Sequence, residues 1–408
     1  MILLLLPSTL GCASILPQYE AAMERALVAP PPTPTQWIPD AVLHLSGESI
    51  NTIIQTAIED YGTFSSTVDL KIASVTPDLA LTSMEISAGN DCGDCLGIAM
   101  ELDGTLSWET VLGSGSTSLA ATGSLDARFE VSRDDQEDWI VSVQPQRFRW
   151  LDVTLGQVTA GVSGIGEKVQ DWIDRNLVAQ VPPQQIMVIA SEDLPLAALE
   201  IVPSEDGVEL QLLTLSAERG HVEVGGDHLE SGWHMDLSPE SLISLARAEA
   251  FRAEPMARGI VAEPTLLRMD SDTFQMGLRL WRIEGRGWWR DYLIDGTITV
   301  VEDEIRLAAT SVEQVDKSAG AAAADPLAAL AKGLILKYIE DAFETSIPAI
   351  QGEDTQVVIT SIDANEDGSI RVSGTIQAAA AAAAAAAPKS RGRSRAAPAP
   401  ADTYGPNR

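Results

Sequence analysis

Beyond residue 40 the apolar positions fall into two alternating periods. After Ser46, Ile50, Ile53, Ile54, Ala57, Ile58 and Tyr61 recur at the spacing of one helical face, which Gly62 ends. The pattern then switches to period two, with Val68, Leu70 and Ile72 early in the chain and Phe274, Met276, Leu278 and Leu280 later, which predicts antiparallel strands with one buried face. Helical spacing returns at Ile165, Val169, Trp172, Ile173 and Leu177 before Pro182, and at Leu327, Leu330, Leu334, Ile335, Tyr338, Ile339 and Phe343 before Pro348. Each of these helices is followed by two short strands, carrying Val208, Leu210 and Leu212 in one case and Ile370 and Val372 in the other.

The order is therefore stated twice, and the residues repeat with it. Leu45-Ser-Gly-Glu-Ser-Ile50 returns as Leu237-Ser-Pro-Glu-Ser-Leu242, and Leu102-Asp-Gly-Thr-Leu-Ser107 as Ile294-Asp-Gly-Thr-Ile-Thr299, both displaced by 192. Glu205-Asp-Gly207 returns as Glu366-Asp-Gly368 at a displacement of 161, so the second copy is about thirty residues shorter in its middle. Ser46 and Ser238 are expected N-caps, Pro239 suits the first helical position, and Glu48 and Glu240 suit the positive end of the helix dipole. Leu242 and Leu245 continue the helical face in the second copy.

Charge and composition narrow the function classes. With 27 Lys and Arg against 59 Asp and Glu the net charge is −32, which repels nucleic-acid backbones and anionic lipid surfaces. Three cysteines and four histidines leave little for a disulfide framework or a metal cluster, and no metal or other cofactor is expected. No catalytic constellation stands out; Gly161-Val-Ser163-Gly164 lacks the closing glycine of a nucleophile elbow.

The ends are read separately from the body. Met1-Ile-Leu-Leu-Leu-Leu-Pro-Ser-Thr-Leu-Gly11-Cys12 resembles the lipobox of bacterial lipoproteins, although Thr9 and Leu10 depart from the usual residues and no Lys or Arg precedes the apolar run. The resemblance implies a lipidated Cys12 after a signal peptide of residues 1–11, and export to the outer membrane, facing periplasm or cell surface. Residues 12–40, with Pro30-Pro31-Pro32 and Pro34, are expected to form an extended linker; residues 378–408, an alanine run followed by a Pro- and Arg-containing tail, are left out of the fold.

The duplicated order and the repeated Leu-Ser-x-Glu-Ser opening resemble the tubular lipid-binding (TULIP) superfamily, in its two-module bactericidal/permeability-increasing form. That resemblance implies an α+β chain of two tandem modules, 41–227 and 228–377, each a strongly curved antiparallel sheet wrapped around a long helix, in a boomerang-like arrangement. It also implies apolar grooves for lipid acyl chains and no catalysis. The helical faces supply the expected groove residues: Ile50, Ile53, Ile54, Ala57, Val169, Trp172 and Ile173 in the first module; Leu242, Leu245, Leu334, Ile335, Tyr338 and Ile339 in the second. The cationic tip of the mammalian proteins has no counterpart in so acidic a body. A protein that kept the fold, filled its grooves and works as a surface adhesin or assembly scaffold is the alternative.

Four local motifs complete the reading. Cys92-Gly-Asp-Cys95 precedes a strand-like alternation and is expected to be a local disulfide at a hairpin tip. Asp363-Ala-Asn-Glu-Asp367-Gly368 matches half of a calcium loop but has Gly374 where the bidentate Glu belongs, and reads as a hairpin turn. His221, His228 and His234 share no periodicity and are assigned to the surface or to the junction between modules. Trp281, Trp288 and Trp289, interleaved with Arg282, Arg286 and Arg290, form a basic aromatic hairpin that either contacts a membrane, through Trp281, Arg286, Trp288 and Trp289, or packs on its own sheet.

Overall fold

A computed structural model describes residues 15–156, 183–318 and 355–378, apart from 29–32, 34, 59–63, 66, 71–72, 88–94, 111–112, 192–193, 205–206, 225–228, 230, 254, 256–258, 286 and 302–303. The described residues are predominantly antiparallel strand, with helices packed against the sheets. The helices expected over 165–177 and 327–343 lie outside the described residues.

Each copy contributes its long strands to a sheet of its own. In the first, β2 (Phe64–Ser65) and β3 (Val68–Leu70) pair with β4 (Ala73–Ser87). From there the sheet runs through β5 (Cys95–Thr110), β6 (Gly113–Arg133), β7 (Trp139–Leu155) and β8 (Gln184–Ile189). In the second, β12 (Ile260–Asp270), β13 (Thr273–Arg282), β14 (Trp288–Val301) and β15 (Glu304–Lys317) form a four-stranded sheet. The alternation predicted for β13 holds, with Phe274, Met276, Leu278 and Leu280 buried. β5 and β14 carry the repeated Asp-Gly-Thr, and its glycine is explained by close packing. A Cβ on Gly104 would lie 1.9 Å from the Asp78 carbonyl oxygen, and one on Gly296 2.5 Å from the Phe274 ring. β6 and β15 follow, and among the described residues no strand of the second copy answers to β7.

The remaining strands build a third sheet that both copies share. Its order is β16 (Thr355–Ala364), β17 (Ile370–Ala378), β11 (Trp233–Leu237), β1 (Ala41–Ser46), β10 (Gly207–Thr214), β9 (Leu196–Pro203). β1 and β11 meet in the middle, antiparallel, with Leu43 directly opposite Met235. Those two residues are equivalents under the displacement of 192, so a local two-fold axis passes between them. On either side Val208 faces Leu45 and Ile370 faces Leu237. The second closing turn is one residue longer, joining Ala364 to Ile370 where the first joins Pro203 to Val208.

The helices start where the sequence places them. α2 (Gly47–Ile58) is capped by Ser46, whose Oγ accepts from the Ser49 amide at 3.1 Å, and α3 (Pro239–Arg252) by Ser238, whose Oγ accepts from the Ser241 amide at 3.3 Å. Each start is also tied to the other copy. The Ser46 amide donates to the Gly232 carbonyl at 3.0 Å, and the Ser238 amide to the Asp40 carbonyl at 2.9 Å. The Ser49 hydroxyl donates to the Gly232 carbonyl at 2.7 Å, and the Ser241 hydroxyl to the Asp40 carboxylate at 2.8 Å. Asp40, fully buried, also accepts from the Thr214 amide and hydroxyl at 2.8 and 2.6 Å.

One expectation is corrected here. Residues 12–40 are not throughout an extended linker: α1 (Leu16–Ala26) is a helix with Tyr19, Ala22 and Ala26 buried. Pro17 in its first turn costs no hydrogen bond, because the amide there has no helical partner.

Candidate functional site

The inward faces of all three sheets meet in one continuous apolar cluster. Ile50, Ile53 and Ile54 of α2 and Leu242 of α3 are buried in it, and Leu245 is half-buried against it. The Ala57 side chain and Val169, Trp172, Ile173, Leu334, Ile335, Tyr338 and Ile339 lie outside the described residues. α2 lies along β4 by polar contacts as well as apolar ones. Asn51 Oδ1 accepts from the Ile86 amide at 2.7 Å and Gln55 Nε2 donates to the Met84 carbonyl at 3.0 Å, which satisfies strand edge that β2 and β3 leave unpaired.

The opposite face of the shared sheet is polar. Glu209, His44 and His234 stand in register across β10, β1 and β11, and Asp236 and Arg371 stand in register across β11 and β17. The two imidazoles stack with centroids 4.3 Å apart, His44 Nδ1 is 3.7 Å from Glu209, and His234 Nε2 is 3.7 Å from Asp236. Asp236 receives Arg371 through both oxygens at 2.7 and 2.9 Å, and Asn365 Nδ2 at 2.8 Å. This row escaped the sequence reading because its members are brought together by strand pairing, which sequence spacing does not show; His44 carried no signal of its own. Asn365 and Asp367 sit in the hairpin turn anticipated for Asp363–Gly368, and Asp367 Oδ1 accepts from the Ser369 amide and hydroxyl at 2.9 and 2.7 Å. Burial opposes ionisation of Asp367, but these bonds outweigh it and hold its carboxyl below the usual value.

Cys95, at the start of β5, is disulfide-bonded, and Cys92 lies outside the described residues, as does Cys12.

The aromatic hairpin departs from a membrane-facing surface. Trp281 and Trp288 are 1% and 5% exposed, so neither ring is presented to a bilayer, and Arg286 lies outside the described residues. Trp281 Nε1 donates to Glu263 at 2.7 Å. Its ring meets the edge of Tyr19 at 5.8 Å, and Tyr19 in turn meets Phe251 at 5.5 Å. Ile15, Tyr19, Ala22 and Ala26 complete this cluster with Phe251, Val261 and Trp281, so α1 covers the Trp281 face of the hairpin, while Trp288 is buried in the main apolar cluster. Trp289 is half-buried, donates through Nε1 to Gln18 at 3.0 Å, and carries Arg279 over its ring at 4.4 Å. A two-pronged bond to Asp291 at 2.6 and 2.7 Å, outweighing burial, raises the Arg279 pKa above its usual value. Of the arginines interleaved with the tryptophans, Arg290 lies over the Trp288 ring at 5.5 Å, so the alternative in which the two stack within the hairpin is observed for that pair. Gly287 closes the turn at φ +62°, and a Cβ there would lie 2.2 Å from Ile15 Cγ2.

Among the described residues each copy runs through a helix, long antiparallel strands and a closing hairpin, in the order expected from the sequence. No family model matches the chain, and no curated protein matches it. Among solved structures it is similar to a lipopolysaccharide binding protein, at 8% identity and a TM-score of 0.36, over 84% of this chain and 100% of that one. It is similar to P47 of Clostridium botulinum E1 at 10% identity and a TM-score of 0.38, over 84% and 100% of the two chains. Latherin is matched over 33% of this chain and 72% of its own, at 12% identity and a TM-score of 0.18.

Proposed function

We propose that the protein binds lipid acyl chains in apolar grooves, without catalysis, and shuttles them as an exported lipoprotein held by a lipid on Cys12. The observation that carries this reading is a mismatch of lengths. β5 has 16 residues and β6 has 21, extending about 50 and 70 Å, whereas the 12 residues of α2 extend about 18 Å. Adding the helix expected over 165–177 brings the helical cover to about 38 Å, still short of β5. A sheet wrapped around helices too short to line it would leave apolar length for a ligand. Each buried methylene is worth about 0.8 kcal/mol, so a 16-carbon chain gains on the order of 10 kcal/mol without any charged contact.

The test is to purify the mature protein, extract it with organic solvent and examine the extract by mass spectrometry. Acyl lipid in near-stoichiometric amount is expected, together with uptake of a fluorescent fatty acid that Ile53→Trp in the first module reduces. A protein that carries no lipid and takes up no fatty acid overturns the reading and leaves the adhesin or scaffold.

A further inference from the structure

The N-terminal segment was expected to be a tether, and a tether of 28 residues between Cys12 and Asp40 would let the body roam about 30 Å from its anchor in any orientation. The docked helix changes that. α1 is fastened to the second module by Ile15, Tyr19, Ala22 and Ala26 against Phe251, Val261 and Trp281, and by the Trp289 to Gln18 hydrogen bond. Its first buried residue, Ile15, rests on Gly287 in the β13–β14 turn. Cys12 is three residues before Ile15, and three extended residues reach at most about 11 Å.

We infer that α1 is an orienting clamp: it holds the attachment point at Cys12 against the β13–β14 turn, so that this end of the second module is the end that faces the lipid surface. The inference rests on the lipid anchor proposed above and adds the orientation. The turn suits the role without inserting. Glu284 and Gly285 are exposed at its tip, Leu16 is exposed beside it, Trp281 and Trp289 pack against α1, and Trp288 is buried in the main apolar cluster. The same arrangement explains why Gly287 has no side chain: any Cβ there would displace Ile15 and with it the start of the helix. The second module is thereby the one presented to the anchoring membrane, and the first, which α1 does not touch in its buried cluster, receives no such constraint.

The experiment uses the full-length protein with its lipid, reconstituted in phosphatidylcholine vesicles that contain a head-group spin label. A fluorophore is placed at Glu284→Cys in the turn or at Asp135→Cys, an exposed position in the β6–β7 turn of the first module. Quenching at 284 is expected to exceed that at 135 several-fold. Equal quenching at the two positions in protein that remains vesicle-bound overturns the clamp while leaving the anchor intact. If Cys12→Ala does not release the protein from vesicles, the anchor itself fails, and the inference with it. Ala22→Glu places a charge in the α1 contact; vesicle-bound protein of that variant is expected to lose the excess quenching at 284, and retention of it in a variant whose Trp289 emission shows α1 undocked overturns the clamp.

Discussion

Asp126 shows how a single side chain is held in this fold. It is buried in β6 beside two bulges and receives Arg147 at 2.9 Å and Arg149 at shorter range, both from β7. Burial works to raise its pKa, but the hydrogen bonds and charges of Arg149 and Arg147 prevail and lower it. A carboxyl whose pKa is depressed by folding contributes stability above its unfolded value, near 3.9, and loses that contribution as pH falls through the lower folded value. Urea titrations are therefore expected to show stability dropping below about pH 4, with a smaller drop in Asp126→Asn. At neutral pH, Asp126→Ala is expected to cost about 2 kcal/mol, chiefly through the half-buried Arg149, because the exposed Arg147 returns to water. Tyr19 runs with the opposite sign. Burial raises its pKa above the usual 10.0, so docking of α1 is favoured below that value and weakens as pH rises through the folded pKa. Trp281 emission, quenched and red-shifted above about pH 10, is the expected readout, and Tyr19→Phe is expected to abolish it.

At the scale of elements, the helix starts were legible and the N-terminal helix was not. Ser46 and Ser238 announce themselves through the residues that follow, and both cap as expected. Replacing Ser238 with Ala is expected to cost about 1 kcal/mol in thermal or urea unfolding, with Ser46→Ala similar. α1 also has a period: Ile15, Tyr19, Ala22, Met23 and Ala26 lie on one face. Two of its contacts are alanine methyls, whose small area makes a weak sequence signal, and the proline cluster that follows draws the reading toward a spacer. The hairpin was legible as aromatic and basic; the burial of Trp281 depends on α1 and was hidden with it, whereas Trp288 is buried in the main apolar cluster. The groove candidates divide in the same way: Ile50, Ile53, Ile54 and Leu242 are buried as the helical period requires, while burial alone is the mark of packing as much as of ligand contact.

At the scale of the molecule, the two copies were visible as a displacement of 192, but their interlocking was not, because pairing between β1 and β11 leaves no trace in either copy's own pattern. Expressed alone, residues 41–227 would expose the β1 edge and lose the Gly232 carbonyl that accepts from Ser46 and Ser49. That fragment is expected to be a dimer by light scattering, and a charge at the seam, Leu43→Lys, is expected to leave it monomeric and far less stable. A monomeric, cooperatively unfolding fragment would show that the copies are independent domains.

Leu43 facing Met235 has a historical meaning. A residue that pairs with its own equivalent across a two-fold axis is the signature of an isologous contact, the kind made when two identical chains meet. Before the gene doubled, the ancestral module would have been a homodimer with position 43 touching itself, each subunit lending the other the acceptor for its first helix. Fusion made the partner permanent, and a permanent partner is free to diverge. One half was then able to take on the N-terminal helix while its sister did not, a division of labour that a symmetric dimer cannot evolve.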